Sequence, residues 1–253
     1  MYQNTQSISK MRQETADLSD AHCHLNLFPD PKQTVSECAA HGMKVMLATG
    51  GSVKDNLQVS ELTHAEIVFG IVGIGPDFVG EVGQVGIVAD LVKRNRKIVG
   101  IGEIGLDFKI ATGAEQIDRQ KELFEKQIVM AKQLELPIVI HSRGSFGEVL
   151  KILDGHKVRR AMFHFFEGNG ADAKELEGRG YLMSVPPVEN SKRKDAIRSI
   201  SLKNIVVETD SPVVGKSPLD VKRSLEMIAK IREMQVSELA QITTDNLREF
   251  FYI

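Results

Sequence analysis

The sequence holds no tryptophan, three tyrosines and two cysteines. No stretch of it approaches the run of roughly 18 apolar residues that a membrane span requires. Cys23 and Cys38 are too few for a disulfide framework and are not spaced like a zinc ribbon, so a reducing, cytoplasmic setting is expected. The stretch Met1–Ala16 is polar, contains Lys10, Arg12 and Glu14, and lacks the apolar centre and small-residue cleavage site of a signal peptide. Residues 1–17 are therefore expected to form a loose amino-terminal extension. A formal net charge of −2 excludes bulk electrostatic attraction to nucleic acid, so any such binding must be local. The cationic stretches Lys192-Arg193-Lys194 and Arg94, Arg96, Lys97 read as solvated helix faces. Also missing is the glycine fingerprint of a dinucleotide fold, for which Gly73-Ile74-Gly75 is a poor substitute.

What is present is an ordinary globular composition, 42% hydrophobic and 26% charged, over 253 residues. That length suits a single α/β barrel of about 250 residues. Eight short, nearly uninterrupted apolar runs read as strands: Leu18 to His22, Lys44 to Ala48, Ile67 to Gly73, Ile98 to Gly102, Pro137 to Ile140, Arg160 to Phe163, Tyr181 to Val185 and Asn204 to Val207. Strands without a polar face that alternate with helices belong to a parallel sheet covered on its faces. An open doubly wound sheet is the alternative, but eight strand–helix pairs are what closure requires, and the expected fold is a (β/α)8 TIM barrel over residues 18–253. No repeat, low-complexity tract or linker divides it. The helical pattern is clearest from Glu115 to Leu134, with Leu123, Phe124, Ile128, Val129 and Ala131 assigned to the buried side. Ser217 to Tyr252 reads as two helices, with Pro218 suited to a first turn.

Four of the strands run into a metal-ligand residue: Glu103, His141, His164 and, three residues on, Asp210. His22 and His24 near the amino end share a face of an extended chain, while Cys23 points away and reads as a buried side chain. Any one of these residues has an ordinary structural explanation. Six imidazoles and carboxylates delivered to one rim do not, because burying unpaired carboxylates is costly unless a cation neutralises them. The carboxyl ends of barrel strands are where such folds build their sites. A metal-dependent hydrolase is expected, with Glu103 able to bridge two ions. His41, His64 and His156 fall in helical or helix-end segments and read as structural.

The segments Asp20-Ala21-His22-Cys23-His24-Leu25, Gly102-Glu103-Ile104-Gly105-Leu106-Asp107-Phe108, Ile140-His141-Ser142-Arg143, His164-Phe165-Phe166-Glu167-Gly168 and Glu208-Thr209-Asp210-Ser211-Pro212 resemble the TatD family of metal-dependent deoxyribonucleases. The resemblance runs from about Leu18 to Phe250 and includes Gln120, Phe124, Gln127, Asn246 and Phe250. It implies an amidohydrolase-type barrel with two divalent ions, Mg²⁺, Mn²⁺ or Zn²⁺. His22, His24, Glu103 and Asp210 would hold the first ion, and Glu103, His141 and His164 the second. Asp210 and Glu103 would be the catalytic carboxylates, with Asp210 orienting or deprotonating the attacking water. Arg143 would bind a phosphate oxygen of the substrate, DNA, at single-stranded or frayed ends. No membrane and no obligate protein partner are implied.

Two departures bear on the substrate. Gly73-Ile74-Gly75-Pro76-Asp77-Phe78 stands where the family has a His-Pro-His-like segment, and His164-Phe165-Phe166-Glu167-Gly168 stands where the family has a small Cys and Ser between the His and the Gly. Phe165 or Phe166 could stack on a base, with at least one of them expected in the core. The alternatives are a hydrolase of a small amide, ester or phosphoester, and a non-catalytic relative using the barrel as a binding surface.

Overall fold

Residues 17–253 are described by the computed structural model, and within them eight parallel strands pair in sequence order, β1 to β8. The strands are β1 (Leu18–Cys23), β2 (Met43–Thr49), β3 (Val68–Val72), β4 (Ile98–Asp107), β5 (Ile138–Arg143), β6 (Ala161–Phe163), β7 (Leu182–Val185) and β8 (Ile205–Val207). The Asp210 amide donates to His22 O at 2.9 Å and the His24 amide to Ser211 O at 2.7 Å. These two bonds tie the carboxyl end of β1 to the chain just past β8 and close the sheet into a barrel, as the strand count required. The proposed loose extension lies outside the described residues except for Asp17, whose carbonyl accepts from the Thr244 hydroxyl.

Helices alternate with the strands: α1 (Pro31–Ala40), α2 (Val53–Leu62), α3 (Val85–Arg94), α4 (Ala114–Gln133), α5 (Phe146–Gly155), α6 (Gly170–Gly178), α7 (Ser191–Ser199), α8 (Val221–Arg232) and α9 (Val236–Phe251). Their starts follow local chemistry. Asp30, Ser52, Asn169 and Asn190 accept hydrogen bonds from first-turn amides of α1, α2, α6 and α7. Pro218 opens a 3-10 turn, Pro218–Asp220, ahead of α8. No helix among the described residues is long and apolar enough to cross a membrane.

The core has two parts. A large cluster lies between strands and helices, and a smaller one fills the barrel with Ala21, Val45, Leu47, Ile71, Val99, Val139, Met162, Leu182 and Val206, plus Leu247 and Phe251 of α9. Each buried aliphatic side chain of this kind contributes about 1.5–3 kcal/mol. Period-two alternation then sets the next inward layer: two residues past Val139, Met162 and Val206 come His141, His164 and Glu208.

Three sequence expectations need correction. β4 runs on to Asp107 and β5 to Arg143, so Glu103 and His141 sit within strands instead of following them. Val129 is 44% exposed, because α4 turns it away from the face that buries Leu123, Phe124, Ile128 and Ala131. Arg193 is no solvated cation: it is 2% exposed, its guanidinium donating to Val188 O and Phe166 O. β1 carries a register shift between Asp20 and Cys23, with Ala21 inside the barrel and Cys23 buried in the outer cluster, away from the two histidines as expected.

Candidate metal centre

His22 in β1 and His24 just past its end come together, with their Nε2 atoms 3.4 Å apart. Asp20 fixes the strand there, its buried carboxylate accepting from the amides of His22 and Thr209 and from the Thr209 hydroxyl. Burial raises the Asp20 carboxyl well above its usual range against these bonds. In β4, Gly105 has φ of +146°, and a Cβ on it would lie 2.0 Å from His141 O. Only glycine allows β4 and β5 to approach this closely beside the cluster.

All six expected ligand residues converge. Glu103 Oε2 lies 3.5 Å from His22 Nε2 and 4.0 Å from His24 Nε2, and Asp210 Oδ1 lies 3.7 and 3.2 Å from the same two atoms. Glu103 Oε1 faces the other way, 2.8 Å from His164 Nε2 and in contact with His141 Nδ1, and those two nitrogens are 3.3 Å apart. An ion with ligand bonds of about 2.1 Å has neighbouring donors about 3.0–3.4 Å apart in octahedral or tetrahedral geometry. The separations around both Glu103 oxygens fall close to that range, and the donors are nitrogen and carboxylate oxygen with no thiolate. The donor set of these residues fits divalent metal ions.

The outer nitrogens are arranged unequally. His24 Nδ1 donates to Thr49 O at 3.0 Å, which turns the Nε2 lone pair inward. His141 Nε2 donates to Asp107 Oδ2 at 3.1 Å. His164 Nδ1 has no partner, the nearest acceptor being Glu208 Oε2 at 3.8 Å. Burial, with His164 stacked at 4.0 Å, lowers His22 to about 4 and keeps it neutral. Burial pulls His24 and His141 down too, but carboxylates outweigh it. Asp210 and Glu103 raise His24 to about 9, and Glu103 and Asp107 raise His141 to about 10. Glu103 is held well below its usual range against burial by His164 and His141, and Asp210 below its own against burial by His24 and His22. In the metal-free protein the carboxylates thus favour the protonated forms of His24, His141 and His164 over the pull of burial.

Two buried acids of this site had no role in the sequence reading. Asp107 closes the extended β4 and also approaches Arg143 Nη1 at 3.9 Å. Glu208, fully buried and raised to about 7 by burial, accepts from the Phe165 amide. Period-two counting from Val206 would have found it. Arg143, 54% exposed at its side chain, stands at the rim. His41 is the C-cap residue of α1 and His156 that of α5, and His64 lies in the turn after α2, away from the cluster. Cys23 is buried with its thiol toward Leu47 O and takes no part. Of the two phenylalanines, Phe166 is in the core and Phe165 is half-buried.

A cavity of about 720 Å³ reaches the cluster at His164 alone, and two smaller ones open onto it more widely. One, of about 360 Å³, is lined by His24, Leu27, Asp55, Asp77, Phe78, Glu103 and Asp210 among others. The second, of about 320 Å³, is lined by His141, Arg143, His164, Phe165, Glu167, Asp210, Val213 and Val214 together with Ser142.

The chain is similar to known proteins over nearly its whole described length. The sequence model of the family TatD related DNase matches residues 19–252. The uncharacterized metal-dependent hydrolase MJ1582 of Methanocaldococcus jannaschii is 33% identical over 244 residues, 92% of this chain and 96% of that protein. Human deoxyribonuclease TATDN3 is 28% identical over 265 residues, covering 95% and 97%. The crystal structure of YjjV, a TatD homolog from Escherichia coli, superposes with a TM-score of 0.85 at 24% identity, covering 93% of this chain and 98% of that one. That likeness establishes the fold.

Proposed function

The chain belongs to the TatD related DNase family, and on that premise we propose that it is a divalent-metal-dependent hydrolase of DNA phosphodiesters that trims single-stranded or frayed ends. The observation that carries this reading is the division of Glu103: one oxygen faces His22 and His24, the other His141 and His164. His22, His24, Glu103 Oε2 and Asp210 Oδ1 would hold one ion, and Glu103 Oε1, His141 Nδ1 and His164 Nε2 the other. When bound, Mg²⁺, Mn²⁺ or Zn²⁺ supplies Lewis acidity at the phosphodiester and brings the pKa of water toward neutrality.

The chain's own residues do the rest. Asp210 lines both cavities, and its carboxylate, ionised at neutral pH, orients the attacking water and accepts its proton. Arg143, engaged by Asp107 only through Nη1 at 3.9 Å, keeps donors free to hold a phosphate oxygen. Asp107 orients the His141 ring. The two cavities lie near the small end of the range for ligand pockets, about 300–1,000 Å³. Cavities of this size favour a free end over a duplex interior.

A second reading, hydrolysis of a small amide, ester or phosphoester, is favoured by the larger of these cavities, whose lining includes Asp55 and Asp77 and no Lys or Arg. Cleavage of end-labelled single-stranded DNA by metal-depleted protein resupplied with each ion separates the two. Metal-dependent laddering that falls by about 100-fold or more in Asp210→Asn is expected for the nuclease. No DNA cleavage, with metal bound and a small ester turned over, would sink it.

A further inference from the structure

Phe165 combines three features that packing alone does not require. It follows the candidate ligand His164 directly, and its backbone lies at φ +46°, a left-handed conformation that bulky side chains rarely adopt. It is held there from two sides. Its amide donates to the buried Glu208, and its ring lies against the buried Arg193, whose guanidinium carbon is 5.2 Å from the ring centroid. Arg193 in turn bridges two rim loops, donating to Val188 O between β7 and α7 and to Phe166 O between β6 and α6. A left-handed backbone anchored by the buried side chains of Glu208 and Arg193 fixes one aromatic ring and leaves it half-buried, lining the cavity of about 320 Å³.

The rest of that cavity shows what the ring would meet. Val213 and Val214 add apolar surface, Arg143 a guanidinium, Glu167 an exposed carboxylate, and His141, His164 and Asp210 the edge of the ligand cluster. A flat apolar ring joined to a phosphate matches an apolar wall beside a guanidinium. The Glu167 carboxylate can accept from a ring N–H.

We propose that Phe165 is the platform on which a nucleobase of the substrate stacks, setting the adjoining phosphate between Arg143 and the Glu103 cluster. This rests on the phosphodiester reading and adds a specificity-determining residue to it. Stacking on an aromatic side chain tolerates any base, which suits an enzyme acting on DNA ends without sequence preference.

The test is binding, read without turnover. Metal-loaded protein is titrated calorimetrically with thymidine 5′-monophosphate and with 2-deoxyribose 5-phosphate, which carries the same phosphate and sugar without a base. Wild-type protein is expected to bind the nucleotide about 5- to 150-fold tighter. Phe165→Leu reduces that preference to less than about twofold, and Phe165→Tyr keeps it. If Phe165→Leu fails to fold or load metal, Phe165→Trp decides: a platform predicts an equal or greater preference for the nucleotide, whereas a packing role predicts a loss. Equal binding of the two ligands by wild-type protein, or an unchanged preference in Phe165→Leu, overturns the platform. DNA cleavage alongside equal binding overturns the platform alone. An intact nucleotide preference without any DNA cleavage overturns the phosphodiester reading alone.

Discussion

Replacing Asp107 with Asn keeps the shape of the side chain and removes its charge, and its effect can be worked from the geometry. One carboxylate oxygen accepts from the amides of Lys109 and Ile110 at 2.8 and 3.2 Å, which leaves the other aimed at His141 Nε2, 3.1 Å away. The group is 5% exposed, so water does not compete strongly for it. In Asp107→Asn the amide oxygen stays with the two backbone donors and the NH₂ turns toward a ring nitrogen that is itself a donor. Loss of a carboxylate behind a metal-binding imidazole typically costs 10- to 100-fold in affinity, about 1.4–2.7 kcal/mol. Among the donors only His141 touches Asp107, so the binding proposed at His141 and His164 should weaken while that proposed at His22, His24 and Asp210 stays. Each kcal/mol of lost metal linkage is about 2–4 °C for a chain of this size, so the metal-induced gain in Tm should shrink by about 3–10 °C. Calorimetric titration of metal-depleted protein and melting curves with and without metal measure both. Two binding steps at wild-type affinity, or equal weakening of both, would refute the reasoning.

Other consequences are as direct. His24 and His141, raised to about 9 and about 10, carry protons at pH 7 in the metal-free protein, and an ion can bind only their free lone pairs. Metal uptake at pH 7 should therefore release protons, and affinity should rise from pH 7 to pH 9. Titrations in buffers of different ionisation enthalpy would show this, and absence of release would contradict it. Gly105→Ala puts a Cβ 2.0 Å from His141 O at a φ of +146°, and should cost at least about 3 kcal/mol and weaken metal binding. An unchanged Tm would contradict the close approach of β4 and β5. Arg193→Met removes the donors to Val188 O and Phe166 O and should lower stability by about 2–4 kcal/mol in denaturant unfolding. An exposed cation would show less than about 0.5 kcal/mol.

The strands were legible because each is a short apolar run that the barrel buries on both faces, and such runs have no other easy explanation. The cluster was legible for a related reason: Glu103, His141, His164 and Asp210 each interrupt or follow such a run at its carboxyl end. What period and composition could not show was depth. Nothing in the apolar pattern said that β4 would continue through Gly105 to Asp107, because the continuation depends on a glycine conformation and a register shift against β5. Lys192-Arg193-Lys194 looks uniform in sequence, yet α7 turns Arg193 inward, where carbonyls of two loops await it. Val129 misled because its hydrophobicity matched its neighbours while its angular position on α4 did not. Phe165 and Phe166 are chemically identical neighbours, and only the left-handed turn at Phe165 separates the cavity wall from the core.

The central claim is that the Glu103 carboxylate stands between two ions. The most direct test is an anomalous difference map from a crystal of the Mn²⁺-loaded protein. The account predicts two peaks about 3.5–4 Å apart, one beside His22, His24 and Asp210 and the other beside His141 and His164, with an oxygen of Glu103 on each. A single peak, or two peaks that leave Glu103 unligated, would contradict it.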